Sequence, residues 1–342
     1  MTYRIQTRDE HLRPRGPKRI LALDGGGLRG ILTLGILKHV ETVLRERHGE
    51  DAGFRLCHYF DLIAGTSTGA IIAAALAAGI PAQRVLDLYI RRAREIFTRS
   101  PLNLPRRILT GSMYSVSGLH QILKEEFSVS GATRLNDAPI DLLVTAKRLS
   151  DGMPWYFVRD TPMNSGTTGS LRLADCATAS AAAPTYFKPW RIGSIGELVD
   201  GSVGVTGNPV YQACVEAFDY SVGYDPRQTT VVSLGTGRFT SRQRPAWIWG
   251  WLTWILSELL RSPGEQQTDI VRRMYPSLLF YRIDPKLPQA VGLDAIEHIE
   301  RLRQIGEALA ARVDWPAILA GEDRTYSIGG KNTLWEQYAT SV

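Results

Sequence analysis

Residues 59–78, YFDLIAGTSTGAIIAAALAA, decide the fold. The apolar run at 59–64 predicts a buried strand, and the small residues at 65–69 suit a tight turn. Residues 70–78 are rich in alanine and are followed by a glycine and a proline, which is typical of a helix and its end. The stretch therefore predicts a strand, a sharp turn and a helix.

The same pattern occurs nearer the N-terminus. An apolar run at 19–23 is followed by Asp24 and three glycines, and residues 28–44 carry apolar side chains at helical spacing. Two successive strand-turn-helix units indicate parallel strands. Further strands are expected at 140–146, 155–159, 197–199, 230–234 and 278–283, with helices at 118–127 and 293–313. The predicted fold class is α/β with a mainly parallel central sheet.

The motifs extend over one large domain, and a hydrophobic content of 44% is enough to build its core. We expect a basic N-terminal extension at 1–17 and a domain at 18–320. This domain includes a C-terminal helical portion at about 245–313, and residues 321–342 form a tail. No linker-like or low-complexity segment divides the chain.

The composition argues against several classes of protein. No apolar stretch reaches the length of about 18 residues that a membrane-spanning helix needs, and the N-terminal residues lack the apolar run of a secretory signal. The three cysteines lack the close spacing of a metal site or a redox pair. We expect neither a metal nor a cofactor. The net charge of +6 suits anionic lipid or nucleic acid equally, but no nucleic-acid-binding motif is present. We expect a cytoplasmic protein that does not bind nucleic acid.

The turn at 65–69, GTSTG, fits the G-x-S-x-G nucleophile elbow. Gly65 and Gly69 let the chain turn sharply between strand and helix, which exposes the hydroxyl of Ser67 at the mouth of the sheet. The N-terminus of the following helix favours negative charge that develops there. Ser67 is therefore the candidate nucleophile of an acyl hydrolase.

A serine hydroxyl needs a base to take its proton. The six histidines are His11, His39, His48, His58, His120 and His298. None of them lies in a turn at the end of a predicted strand, whereas Asp200 follows the strand at 197–199 and precedes Gly201. We therefore predict a Ser67–Asp200 dyad in which burial raises the pKa of Asp200.

Residues 24–30, DGGGLRG, connect a predicted strand to a predicted helix. Glycines in such a turn let backbone N–H groups converge on an anion. Gly26 and Gly27 are the best candidates for oxyanion donors, and Arg29 is a nearby charge or structural anchor. The glycines also match the dinucleotide fingerprint G-x-G-x-x-G, but that site needs an acidic residue at the end of the second strand, where this chain has GTS.

Three blocks together resemble the signature blocks of the patatin-like phospholipases, in matching order and spacing. They are DGGGLRG at 24–30, GTSTG at 65–69 and DGS at 200–202. Stretches that begin at Met113, Ala177 and Val232 are similar to the family as well. The third block carries Ser202 where glycine or alanine is commoner, and residues 203–207 depart from the usual continuation.

The resemblance implies a three-layer α/β/α fold, with Ser67 as the nucleophile and Asp200 as the base. It implies an oxyanion hole in the loop that contains Gly25, Gly26, Gly27, Arg29 and Gly30. Members of the family typically release fatty acids from phospholipids or other acylglycerols without a metal. The expected partner is therefore a phospholipid or acylglycerol substrate, while the oligomeric state stays open.

One alternative mechanism and two alternative functions remain. A Ser-Asp-His triad is compatible with the chain order Ser67, Asp200, His298, but His298 lies among charged neighbours in the predicted helix at 293–313. The same site could belong to a membrane-degrading effector or toxin that is silent without an activator. A non-enzymatic lipid-binding module is the third alternative, and the intact GTSTG block and Asp200 argue against it.

A tryptophan-rich stretch at 247–260, WIWGWLTWILSELL, lies outside these blocks. Trp247, Trp251 and Trp254 have helical spacing, and such a helix can lie at a lipid interface as a peripheral membrane contact. A helix that covers the sheet or lines an acyl channel is the alternative.

Overall fold

The computed structural model describes residues 7–12, 16–97, 112–160, 168–204, 206–238, 251, 264–289 and 291–320. Its strands form one mixed sheet. They are β1 (Lys18–Leu23), β2 (Leu62–Thr66), β3 (Asp141–Arg148), β4 (Pro154–Val158), β5 (Trp190–Ile192), β6 (Gly196–Asp200), β7 (Thr229–Leu234) and β8 (Leu279–Ile283). Strands β3, β2, β1, β7 and β8 are parallel neighbours in that order, whereas the pairs β3–β4, β3–β6 and β5–β6 are antiparallel.

Helices connect these strands and pack on both faces of the sheet. They are α1 (Arg8–Leu12), α2 (Gly30–Arg47), α3 (Thr68–Ala77), α4 (Ala82–Phe97), α5 (Val116–Ser130), α6 (Leu173–Ala181), α7 (Val210–Val215), α8 (264–274), α9 (Ile299–Ala310) and α10 (Trp315–Ala320). Helices α2 and α9 cross closely, because a Cβ placed on Gly306 would lie 2.3 Å from the carbonyl oxygen of Leu32.

Alternate residues of each parallel strand belong to two different cores. Along β1, Leu21 and Leu23 join the larger core with α2, α3 and α9, whereas Ile20 and Ala22 join a smaller core with α7 and α8. A strand that is buried on both faces reads as a continuous apolar run, which is why the sequence predicts β1 and β2 well. The predicted α/β fold with helices on both sides of the sheet is confirmed.

Several predicted boundaries change. The strand expected at 59–64 begins only at Leu62, since the Asp61 side chain accepts a hydrogen bond from the backbone N–H of Arg19 at 2.7 Å. The helix expected at 293–313 is a 3-10 turn at Ile296–His298 followed by α9. Short antiparallel β5 was not predicted, because three residues carry too little alternation to reveal a strand.

The terminal segments were predicted from composition alone. In the expected N-terminal extension, Arg8 of α1 forms an ion pair with Asp141 at the start of β3. The expected helical portion at 245–313 also contributes β8 to the sheet. The expected tail at 321–342 and most of the tryptophan-rich stretch lie outside the described residues. Of the helices that the structure describes, none has both the length and the apolar character needed to cross a bilayer.

Candidate active site

Strands β2 and β6 meet end to end along one edge of β3. The other edge of β3 pairs with β4 through Leu143–Lys147, so β2 and β6 must share the opposite edge. Thr66 at the end of β2 pairs with Thr145, and Asp200 at the end of antiparallel β6 pairs with the next residue, Ala146. This topology places Asp200 beside Ser67, which directly follows β2. The hydroxyl of Ser67 donates a hydrogen bond to Oδ2 of Asp200 at 2.5 Å.

Ser67 lies at a sharp turn between β2 and α3. Its φ of 56° and ψ of −126° lie in a region that residues with side chains rarely adopt, as a nucleophile elbow requires. A Cβ on Gly65 would lie 2.2 Å from the carbonyl oxygen of Gly69, and a Cβ on Gly69 would lie 2.3 Å from the carbonyl oxygen of Leu23. Both positions therefore have room for glycine only.

Asp200 is 2% exposed. Burial raises the pKa of Asp200 from 3.8 to about 6. Hydrogen bonds oppose the rise: Ser67 donates to Oδ2, and the backbone N–H of Ser202 donates to Oδ1 at 2.8 Å. Asp200 is thus a carboxylate with increased affinity for a proton in direct contact with a serine hydroxyl.

This raised pKa predicts that Asp200→Asn stabilises the protein in a pH-dependent way. A carboxyl group that binds its proton more tightly when folded favours folding below pH 3.8, and that contribution is lost as the pH rises through about 6. The loss corresponds to about 3 kcal/mol at most. Urea unfolding at pH 4.5, 6 and 8 should show a free energy of unfolding that increasingly favours Asp200→Asn. A difference that does not change with pH would contradict the assignment.

The loop at 24–30 leaves two backbone N–H groups available. The N–H of Gly25 donates to the carbonyl of Gly207 at 3.0 Å, that of Arg29 donates to Gly26 at 3.2 Å, and that of Gly30 donates to Gly27. Within the described residues, the N–H groups of Gly26 and Gly27 have no protein acceptor. Both residues line the same cleft as Ser67. Of the five residues predicted for an oxyanion hole, geometry therefore leaves Gly26 and Gly27 as donors.

Two buried or half-buried arginines anchor the loop at 24–30 through hydrogen bonds and an ion pair. Arg29 is 8% exposed, and its guanidinium donates to the carbonyls of Gly26 at 3.3 Å and Gly237 at 3.2 Å. Arg282 of β8 makes a bidentate contact with Asp24, at 2.8 and 2.6 Å. Arg29 is therefore a structural anchor rather than a group that faces the nucleophile.

Sequence reasoning missed three contacts of the site. The hydroxyl of Ser180 in α6 accepts a hydrogen bond from the N–H of Ser67 at 2.8 Å, so this N–H does not face the cleft. The hydroxyl of Tyr89 in α4 lies 3.0 Å from the hydroxyl of Thr68. Arg282 had a visible signal, because it is a charged residue inside the apolar strand at 278–283.

The cleft above Ser67 is lined mainly by apolar side chains of α4 and α5. Helix α4 contributes Leu88, Tyr89, Ala93 and Ile96, and α5 contributes Leu119, Ile122 and Leu123. From Leu88 to Ile96 the helix rises by about 12 Å. The empty volume, including the part open to solvent, is about 1120 Å³. The apolar lining along this length of helix suits an extended hydrocarbon chain with one end at Ser67.

The structure does not bring the other candidate residues to this cleft. None of the six histidines lies among its lining residues, and His298 instead ends a 3-10 turn before α9. Of the three spaced tryptophans only Trp251 is described, and it is 40% exposed, while Trp247 and Trp254 lie outside the described residues. No cluster of histidine, cysteine and acidic residues with metal-site geometry occurs in the described part of the chain.

Comparisons with known proteins show the family of the chain. A family model described as patatin-like phospholipase matches residues 21–213. A "cGAMP-activated phospholipase" of Escherichia coli (strain TW11681) is 35% identical over 224 residues, which cover 64% of this chain and 61% of the relative. "Patatin group M-3" of Solanum tuberosum is 30% identical over 282 residues, 73% of this chain and 70% of the relative. The solved structure of human GIVD cytosolic phospholipase A2 matches with a TM-score of 0.40 at 12% identity, over 92% of this chain and 62% of that one.

Proposed function

The chain belongs to the patatin-like phospholipase family, and from this premise we propose that it hydrolyses fatty-acyl esters of phospholipids or other glycerolipids through Ser67 and Asp200. The observation that carries the proposal is the 2.5 Å hydrogen bond from Ser67 to a buried carboxylate at the end of an apolar groove. The chain spans 61% of the length of the E. coli relative, so the activity of the whole protein is part of the proposal.

The proposed reaction has two steps. Asp200 takes the proton of Ser67 while Oγ attacks the ester carbonyl, and the N–H groups of Gly26 and Gly27 stabilise the negative charge on the carbonyl oxygen. The leaving alcohol receives the proton from Asp200, which leaves an acyl group on Ser67. Water then attacks this ester, Asp200 accepts the proton of the water, and Ser67 regains it as the fatty acid departs.

The groove between α4 and α5 is proposed to bind the acyl chain. Ile122 lines it and is 8% exposed, but it is not part of the main core. Ile122→Trp should therefore fill the groove without disturbing the sheet. Displacing two methylene groups from it costs about 1.6 kcal/mol, a loss of about 15-fold in kcat/KM.

The measurement compares hydrolysis of p-nitrophenyl palmitate and p-nitrophenyl butyrate. We expect kcat/KM of Ile122→Trp to fall for the palmitate and to stay near the wild-type value for the butyrate. Lys124→Trp, on the exposed side of the same helix, is the matched control and should change neither value. An equal fall for both esters, or no fall for the palmitate, would place the acyl chain elsewhere.

The experiment that tests the function itself is fatty-acid release from mixed phospholipid vesicles and from a soluble p-nitrophenyl ester. The proposal requires release by the wild type and none by Ser67→Ala. A wild type that is active only on the soluble ester would restrict the proposal to esterase activity. Peripheral membrane contact through Trp251 and its tryptophan neighbours is part of the proposal for the vesicle substrate.

A conditional form of the same activity is the second candidate. It is favoured by relatives from Escherichia coli and Vibrio cholerae that are named cGAMP-activated phospholipases, at 35% and 34% identity. In this form the site is silent until an activator binds. The test is to add cGAMP to the wild type and to Ser67→Ala: a rise in fatty-acid release confined to the wild type supports conditional activity, and equal release with and without cGAMP contradicts activation by this molecule.

A further inference from the structure

Ser202 carries a buried hydroxyl without a partner. The residue is 2% exposed and lies two positions after Asp200. Its backbone N–H donates to Oδ1 of Asp200 at 2.8 Å, but its Oγ has no hydrogen-bond partner in the described part of the chain. A buried polar group without a partner costs about 1 to 3 kcal/mol, so its place at the site calls for a reason.

The hydroxyl of Ser202 lies next to the two proposed catalytic residues. Ser202 lines the cleft together with Ser67 and Asp200. A Cβ placed on Gly25 would lie 2.7 Å from Oγ of Ser202 and 3.0 Å from Cβ of Ser67, so the two serine side chains flank the same point of the loop. Burial raises the pKa of Asp200, and the nearby Ser202 hydroxyl is among the groups that oppose this rise, although its contact with the carboxylate does not have the geometry of a hydrogen bond.

We propose that Oγ of Ser202 binds the water molecule that hydrolyses the acyl-enzyme. This inference rests on the proposed function and identifies one more residue that acts in it. A hydroxyl can both donate and accept, so it can hold the oxygen of a water while one proton of that water points to Asp200. Ser67 cannot do this in the second step, because its Oγ is then part of the ester.

The proposed step is balanced without any other reactant. The water oxygen forms a bond with the acyl carbon as Asp200 accepts one proton of the water. The bond between the acyl carbon and Oγ of Ser67 then breaks, and Ser67 takes the proton from Asp200. The products are the free fatty acid and the original dyad, while the hydroxyl of Ser202 keeps its own proton throughout.

Acylation and deacylation respond differently if Ser202 has this role. Acylation uses no water, so Ser202→Ala should change its rate constant by less than about threefold. Deacylation loses one hydrogen bond to the attacking water and should be slower by at least about tenfold. Ser202→Gly removes the same hydroxyl without a methyl group next to Gly25, and it should show the same pattern.

The test is stopped-flow release of p-nitrophenol from p-nitrophenyl butyrate at pH 8, above the pKa of about 6 of Asp200. The burst reports acylation and the steady state reports deacylation. Ser128→Ala, an exposed serine of α5, is the matched control and should equal the wild type in both phases. Thermal unfolding of each variant confirms that it is folded.

The outcomes separate this inference from the function on which it rests. A retained burst with a slower steady state in either Ser202 variant supports the inference. An equal fall in both phases would show that the hydroxyl only supports Asp200, and unchanged rates would show that it does not act, so both results overturn the inference while the function stands. A wild type that releases no p-nitrophenol, with or without cGAMP, overturns both.

Discussion

Ser67→Ala should abolish ester hydrolysis, with kcat/KM at least about 1,000-fold below the wild-type value. The variant removes only Oγ, whose contact in the structure is with Asp200. Ser67 is the residue of the turn at 65–69 that has a φ of 56°, and its hydroxyl contacts Asp200, whereas the hydroxyls of its neighbours Thr66 and Thr68 have other partners. Asp200→Asn should cause a loss of similar size, because the serine then has no group to take its proton.

The measurement is release of fatty acid from phospholipid vesicles and of p-nitrophenol from a soluble ester. Ser128→Ala is again the matched control and should retain wild-type activity. Because residues that act as a unit are not additive, Ser67→Ala combined with Asp200→Asn should be no less active than either variant alone. A variant without Ser67 that keeps more than a tenth of the activity would exclude Ser67 as the nucleophile.

Arg282→Met should lower the free energy of unfolding by about 3 to 5 kcal/mol. The guanidinium of Arg282 donates to both carboxylate oxygens of Asp24, to Asp284 at 3.1 Å and to Ser233 at 2.9 Å. The side chains of the ion pair are only 11% and 12% exposed. Removing the cation leaves the buried carboxylate of Asp24 without its ion-pair partner, while Asp284 keeps Arg238 at 3.9 Å. Leaving a buried carboxylate unpaired is more costly than losing a surface pair.

Removing the Arg282 guanidinium should also lower the activity of the proposed active site. Asp24 directly precedes Gly25, Gly26 and Gly27, so we expect an unpaired Asp24 to shift the two N–H groups that are proposed to bind the ester oxygen. We expect kcat/KM to fall by at least about tenfold in Arg282→Met, measured at a temperature where the variant is folded.

Guanidinium chloride unfolding gives the stability of Arg282→Met. Arg273→Met is the matched control, because Arg273 is 83% exposed and lies 3.9 Å from its partner Asp269. This control should change the free energy of unfolding by less than about 0.5 kcal/mol. Equal stabilities of the two variants would show that the contact of Arg282 with Asp24 does not hold the loop.

The parts of the site that are local in sequence were predicted from the sequence. The turn at 65–69 is predicted because steric contact with neighbouring backbone restricts Gly65 and Gly69 to glycine, and that restriction appears directly in the sequence. Strands β1 and β2 are predicted because both of their faces are buried. Membership in the patatin-like phospholipase family, first indicated by the three blocks, is confirmed by the family match.

Apart from the expected proximity of Ser67 and Asp200, the contacts between distant parts of the chain were not predicted. Asp24 and Arg282 are separated by 258 positions, and Gly25 and Gly207 meet only because β1 and the loop after β6 share one end of the sheet. The sequence also predicts five residues for the oxyanion hole. In the structure, only two of them, Gly26 and Gly27, have a backbone N–H without an acceptor in the described residues. The choice between them depends on which N–H groups already have an acceptor, and a glycine-rich motif carries no such information.

The most direct test of the central proposal is to locate the nucleophile by the residue that becomes phosphonylated. Intact-protein mass spectrometry after reaction with an alkyl fluorophosphonate should show a single covalent adduct in the wild type, and peptide mapping should place it on Ser67. Ser67→Ala should show no adduct, and Asp200→Asn should react far more slowly than the wild type. An adduct on another residue, or one that persists in Ser67→Ala at the wild-type rate, would contradict the assignment of Ser67 as the nucleophile.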